Sequence, residues 1–203
     1  MLLIKSSTSP FGRLAHVALI EAGFDNLQVE VLDPWSDPAK LLNAHPSRRV
    51  PVLVTDEGSS ISESLLIAQY AERHSSLDQT FFSMGDHDLE VLGLAVGVLE
   101  LSVNVIICRK AVTGNPMDTQ FDETEMGLRR FASINDLLKK LEQLIAEADS
   151  DLRDNFSRLA AVNALNYTQF RFPEAPWHPE LMVMNALSER LSTRRSLSLT
   201  RFT

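Results

Sequence analysis

Arg49-Val50-Pro51-Val52-Leu53, followed by Ser62-Glu63-Ser64, is the stretch whose reading decides the fold. Proline cannot donate to a strand ladder, so Pro51 marks the entrance of a strand and not its interior. If the Val50–Pro51 bond is cis, the chain turns sharply there and the N–H and C=O of Val50 face outward. An extended peptide can pair with those two groups as an added strand pairs with a sheet edge. Glu63-Ser64 then opens an amphipathic segment. A helix N-terminus offers free N–H groups and a positive dipole end, which suit a carboxylate. The neighbouring Glu63 suits an ammonium. Together these devices match a ligand with an extended backbone and a free amino-acid head.

The elements follow on either side. Leu2-Leu3-Ile4 reads as a first strand. Ser9 can cap a helix with Pro10 at its first position, Leu14, Ala15, Ala18, Leu19 and Ala22 recur at helical spacing, and Gly23 stops it. Leu27, Val29 and Val31 alternate with Gln28 and Glu30 as a second strand. Pro34 to His45 is irregular or a short helix. Val52 to Thr55 is a third strand, Asp56-Glu57-Gly58 a turn, and Ser60-Ile61 a fourth strand completing a hairpin. Leu66, Ile67, Tyr70, Ala71 and His74 mark a helix. The order β-α-β then β-β-α is thioredoxin-like.

After Ser75 no strand candidate survives. Helices are expected over Asp86 to Val112, Glu123 to Ala148, Asn155 to Phe170 and Pro179 to Thr193. In the second of these, Met126, Ile134, Leu137, Leu138, Leu141, Leu144 and Ile145 form the apolar stripe. The fold class is therefore two-domain α+β: a small α/β domain over residues 1–76 and an all-helical domain over 86–203.

Composition limits the function. The chain has 203 residues, 44% apolar and 23% charged, which is ordinary for a globular protein. A net charge of −8 argues against a general nucleic-acid binder. A small anion can still meet a local basic site such as Arg13, Arg48 and Arg49. The single cysteine, Cys108, excludes an intramolecular disulfide and reads as an inert buried thiol. The start, Met-Leu-Leu-Ile-Lys, lacks the basic and apolar regions of a signal peptide. Val91 to Cys108 approaches membrane-spanning length, but its polar residues fall in the middle, so it reads as a buried helix and not a span. Gly93 and Gly97 form a small-xxx-small pair that permits close helix packing. The histidines show no metal-ligand spacing, and His16 reads as a surface or interface residue.

Ser9-Pro10-Phe11-Gly12-Arg13, Arg49-Val50-Pro51-Val52-Leu53, Glu63-Ser64 and Tyr167-Thr168-Gln169-Phe170-Arg171-Phe172-Pro173 together resemble a bacterial glutathione S-transferase, over essentially the whole chain. The resemblance implies a cis Val50–Pro51 bond and a serine-type site. It implies glutathione as co-substrate, with Phe11, Arg49, Val50, Pro51, Glu63 and Ser64 binding it. It also implies a cytoplasmic homodimer, and a small apolar electrophile bound in a cleft between the two domains. No metal, nucleic acid or membrane is implied. Ser9, or alternatively Thr8, would donate to the glutathione sulfur and stabilise the thiolate, which is the nucleophile. Equally, Ser9 can be a plain helix cap, and the two roles are compatible. Tyr70 and Tyr167 are far from the start and no cysteine precedes Cys108, so a tyrosine or cysteine site does not fit. A non-catalytic binding or regulatory relative, and a glutathione-dependent isomerase or reductase, remain alternatives. One departure stands out: where the family carries a Ser/Thr-x-x-Asp capping box, this chain has Asn155-Phe156-Ser157-Arg158. Asn155 can cap, but Arg158 cannot return an acceptor.

Overall fold

The structure is a computed structural model that describes residues 1–75, 77, 81–147, 154–173, 175 and 178–202. Contacts divide the chain into two compact units, Met1–Ser83 with Ser192–Thr203, and Met84–Leu191. The last twelve positions thus cluster with the first unit, whereas the sequence reading ran the helical domain to the chain end. Residue 76, Ala148 and residue 203, where the sequence reading ends the first domain, the long second-domain helix and the chain, lie outside the described residues.

The first unit is built on a four-stranded sheet of order β2-β1-β3-β4. β1 (Leu2–Lys5) runs parallel to β2 (Gln28–Val31) and antiparallel to β3 (Val52–Val54), which pairs antiparallel with β4 (Ser60–Ser62). α1 (Pro10–Glu21) connects β1 to β2, α2 (Ala39–Ala44) leads into β3, and α3 (Ser64–Arg73) follows β4. This is the thioredoxin-like arrangement expected.

Strand side chains alternate between faces. Ile4 and Val52 pack with Leu41 of α2 in one buried cluster, with Leu32, Ala44 and Val50 at its margin. Leu3 and Leu53 point the other way and are fully buried, as are Leu14, Ala15, Ala18 and Ile67 of the α1–α3 layer. β2 forms as expected but at the sheet edge, where Val29 and Val31 are 38% and 55% exposed. Its alternation marks a strand, not a buried face. A final short helix unforeseen in the sequence, α8 (Arg195–Leu199), packs on α1. It is tied by Arg194, whose guanidinium donates twice to Glu21 at 2.7 Å, and by an Arg195–Asp25 pair.

The second unit contains α4 (Asp86–Thr113), α5 (Glu125–Glu147), α6 (Phe156–Arg171) and α7 (Met182–Leu191), and no strand among the described residues. α6 is buried almost all round, the mark of a core helix. α4 is the one described helix long and apolar enough to cross a membrane by length and composition. It packs on α5 and α6 through Val91, Ala95, Val98, Leu99, Ser102, Val105 and Ile106. Leu92 and Arg109 are buried beside that stripe, whereas Leu89 and Ile107 on the opposite side are 52% and 42% exposed.

Several expectations are corrected here. On α5 the buried stripe includes Phe131 and omits Met126, which is 49% exposed. The helix begins after Thr124, whose Oγ1 accepts from the Gly127 N–H at 3.0 Å. Gly127 itself is obligatory, because a Cβ there would stand 2.3 Å from the Phe121 carbonyl oxygen. Of the glycine pair on α4, only Gly97 meets a neighbour, Leu137, while Gly93 faces open space. Cys108 is half-buried, its thiol 3.8 Å from Asn104 Oδ1.

The departure at Asn155 is resolved from a distance. Asn155 Oδ1 accepts from the Arg158 N–H at 3.2 Å, as a cap should. Asp88 on α4 does not take the backbone N–H that an acidic residue at 158 would take; it fixes the capping side chain instead. Its Oδ1 accepts from Asn155 Nδ2 at 2.7 Å and from the Ser157 hydroxyl at 3.2 Å. Its Oδ2 accepts from the Gly85 N–H at 3.2 Å, closing the start of α4.

Candidate functional site

The β3–β4 register assembles the first half of the site. Val52 pairs with Ser62, so residues 49–51 and 63–64 emerge side by side at one end of the hairpin. The Val50–Pro51 bond is cis. Pro51 is buried and Val50 half-buried against the Ile4–Leu41–Val52 cluster. Among the described residues the loop and turn backbone hydrogen bonds include neither the N–H nor the C=O of Val50.

Glu63 occupies the N-cap position of α3 with φ 70 and ψ 125, a conformation that a side chain rarely adopts. Such strain persists only where surrounding structure imposes it, and it concentrates at functional sites. The Glu63 side chain does not cap its helix. It reaches out to Arg49 instead, Nη1 to Oε1 3.7 Å, with 75% of the Arg49 and 67% of the Glu63 side chain exposed. Ser64 is 4% exposed at the first helical position. The carbonyl of Glu63 takes the first helical bond, from the Ile67 N–H at 3.0 Å. The N–H groups ahead of Ile67 belong to the helix end, where no intrahelical acceptor exists.

The second half is the β1–α1 turn. Ile4 pairs with Val52, so the C-terminal end of β1 lies at the same end of the sheet as Pro51. Ser9 caps α1, its Oγ accepting from the Gly12 N–H at 3.0 Å. A hydroxyl that accepts still has its hydrogen to donate. Thr8, Ser9 and Phe11 are all half-buried. The topology therefore puts the β1–α1 turn that carries Thr8, Ser9 and Phe11 at the same end of the sheet as Arg49, Val50, Pro51, Glu63 and Ser64.

Two of the three nominated basic residues are otherwise engaged. Arg13 is 3% exposed, donates to Thr200 Oγ1 at 3.3 Å and Leu197 O at 3.4 Å, and lies 4.8 Å from the Phe202 ring centre. Burial, and then the charge of Arg201, push its pKa down to about 10. Arg48 pairs with Asp37 at 2.7 Å. Arg49 is the one of the three beside Glu63. Lys5 lies beneath the turn, its Cβ 2.9 Å from where a Gly12 Cβ would stand, and burial followed by Arg13 lowers its pKa. His16 is half-buried; burial and then Lys5 push its pKa down to about 4.

Sequence reasoning missed His45. Its Nε2 lies 3.1 Å from Ser62 Oγ and its Nδ1 2.7 Å from Ser47 Oγ. The only available signal was its position just before Pro46 in the loop to Val50. No group of three or more His, Cys, Asp or Glu side chains among the described residues is placed to hold a metal ion.

Residues 8–74 match the model of the glutathione S-transferase N-terminal domain. The uncharacterized GST-like protein YibF of Escherichia coli (strain K12) is 29% identical over 206 residues, covering 98% of each chain. A glutathione transferase family member from Pseudomonas fluorescens Pf-5, solved with bound glutathione, is 26% identical with a TM-score of 0.81, covering 100% of this chain and 98% of the other. A glutathione S-transferase from Methylobacterium radiotolerans, solved with glutathione sulfonate, superposes with a TM-score of 0.84 over 100% of this chain and 95% of the other. At 23% identity that last likeness is one of fold. The N-terminal match and the full-length likeness agree with the architecture and with the grouped motif residues: residues 8–74 carry a glutathione S-transferase N-terminal domain, and the whole chain is similar to proteins of that family.

Proposed function

We propose that this chain binds glutathione at the sheet end described above and activates its thiol for attack on a small apolar electrophile. The observation that carries this reading is the Val52–Ser62 register, which sets the Val50 backbone beside Glu63 and Ser64. In the proposal the Val50 N–H and C=O pair with the extended ligand backbone. Ser64 and the start of α3 receive the carboxylate of the amino-acid head, where the helix dipole is favourable. Glu63 receives the ammonium. Arg49, mobile enough in solvent to leave its long contact with Glu63, meets the glycine carboxylate. Pro51 shapes the loop and Phe11 lines the turn.

Ser9 then acts on the sulfur. Its Oγ already accepts from Gly12, so its O–H is free in direction to donate to a thiolate. That donation lowers the thiol pKa from its ordinary ~8.5 and raises the thiolate fraction at neutral pH. The thiolate forms a C–S bond to the electrophile, and the displaced group leaves with the bonding pair. Holding both reactants together supplies much of the rate. A domain division between residues 76 and 86, a homodimer and a cytoplasmic location complete the proposal. The exposed stripe on α4 supports the homodimer.

A second reading is favoured by the same cap: the Ser9 hydroxyl is fully explained as a helix N-cap, worth about 1 kcal/mol. A glutathione-binding protein without turnover would show it too. Turnover against pH for a generic electrophile separates the two. Ser9→Ala should lower turnover at neutral pH, with a deficit that shrinks as pH rises and solvent supplies thiolate. A defect in Thr8→Ala alone would move the role to Thr8. A parent that binds glutathione but turns nothing over would favour the binding protein.

A further inference from the structure

His45 ends α2, its backbone N–H donating to the Leu41 carbonyl at 2.8 Å. The chain then turns, with the Arg48 N–H on the His45 carbonyl at 3.4 Å, and runs on to Arg49, Val50 and Pro51. The ring faces this loop on one side. Its Nδ1 takes the Ser47 backbone N–H at 3.3 Å. A backbone N–H can only donate, so Nδ1 is an acceptor and the ring hydrogen sits on Nε2. The Ser47 hydroxyl, 2.7 Å from Nδ1, therefore donates to it as well. On the far side Nε2–H is aimed at Ser62 Oγ, 3.1 Å away. Ser62 is the last residue of β4 and the immediate neighbour of Glu63.

This ring is thus a strut between the two segments that would hold the ligand. Among the described residues, the side-chain hydrogen bonds and ion pairs joining residues 45–51 to residues 62–64 are His45–Ser62 and the long Arg49–Glu63 pair. The latter lies in solvent, where an ion pair fixes little. The His45 contact is of ordinary hydrogen-bond length and partly buried.

We propose that His45 is a positioning residue for glutathione binding, its ring bridging Ser47 and Ser62 so that the Val50 backbone and the Glu63-Ser64 pair meet the ligand at a fixed separation. It touches no part of the ligand and acts through the two segments. The inference rests on the glutathione reading above and adds a residue to it.

The test is glutathione affinity, measured by calorimetry on the full chain, with thermal midpoints alongside. His45→Phe keeps the ring volume and loses both contacts; it should weaken binding roughly 5- to 10-fold, the equivalent of a net hydrogen bond. His45→Asn can reach Ser47 but not Ser62 and should be as weak. His45→Gln places an amide nitrogen near the Nε2 position and should recover most of the affinity. Ser62→Ala should reproduce the His45→Phe loss, and the double variant should lose little more, since both remove one interaction. Ser62→Ala also carries the test if His45→Phe does not fold. The proposal is overturned if His45→Phe and Ser62→Ala bind like the parent, or lower the thermal midpoint with affinity unchanged. It is equally overturned if His45→Asn recovers as fully as His45→Gln, since the ring would then serve only its own turn. A parent that binds no glutathione overturns the glutathione reading itself, whereas a binding parent with unaffected variants removes His45 alone.

Discussion

Arg109 and Asp122 in the helical unit, and Arg49 and Glu63 at the sheet end, are the same chemical pair put to opposite uses. Arg109 is 5% exposed. Its guanidinium donates to Asp122 through Nε at 2.8 Å and through Nη2, and its face lies 5.2 Å from the Phe172 ring centre. Phe172 in turn meets Phe131 edge-on at 5.4 Å. The guanidinium is held by two bonds and an aromatic face, and the pair belongs to the packing. Arg49 and Glu63 are 3.7 Å apart and largely in solvent, and Glu63 sits in a strained backbone conformation without capping its own helix. The contrast separates charge that holds a fold from charge that is available to a ligand.

The sharpest way to break that distinction is Asp122→Ala. It leaves the Arg109 guanidinium buried without its carboxylate, and a buried charge stripped of its partner costs about 3–5 kcal/mol. Chemical denaturation should register that loss; a loss under about 1 kcal/mol would mean Arg109 reaches solvent. Asp88→Ala should cost about 1–3 kcal/mol, the range for hydrogen bonds to a charged acceptor that leave donors unsatisfied. Here the amide of Asn155 is the group left exposed to that cost.

Next in size is a pH effect in the first unit. Burial and Lys5 hold the His16 imidazole down to about 4, against an ordinary value of 6.5. As pH falls from about 6.5 toward 4, the unfolded chain takes up a proton that the folded chain refuses. Stability is therefore complete above that window and declines through it. The loss should be on the order of 1–2 kcal/mol once solvent screening at this half-buried site is allowed for. His16→Gln should flatten the slope; an unchanged slope would assign it to other groups. The smallest effect belongs to the exposed pair. Arg49→Ala should change stability by less than about 0.5 kcal/mol while weakening glutathione binding. A large stability loss would place Arg49 with the structural charges.

The same contrast explains what could be read in the sequence. The first unit was legible because its punctuation is local. Ser9-Pro10 starts α1, Gly23 ends it with φ 86, and Gly58 turns the hairpin with φ 85. The grouping of the candidate site residues was legible for the same reason: a two-strand register brings Arg49 and Glu63 together over a short stretch of chain. What was hidden depends on partners far along the chain. Asp88 fixes the Asn155 cap across 67 positions, and Glu21 anchors Arg194 across 173. No spacing rule connects such pairs. α8 is five residues long, too short to show a period, and forms because its neighbours tie it down. Met126 lies in the first turn of α5 and stays 49% exposed, while Phe131 is buried against Phe172, a partner 41 positions on that the apolar pattern does not reveal. His45 was missed because its role is visible only when Ser62 stands opposite it.

The central claim is that the sheet end, with Glu63 and Ser64 beside Val50, binds the amino-acid head of glutathione. Calorimetric titration of glutathione into the parent, Glu63→Ala and Ser64→Ala tests it most directly. The account predicts binding by the parent and a loss of about 1.5–3 kcal/mol in each variant, roughly 10- to 150-fold in affinity, with folding intact. Affinity unchanged in both variants would contradict it and place the ligand elsewhere.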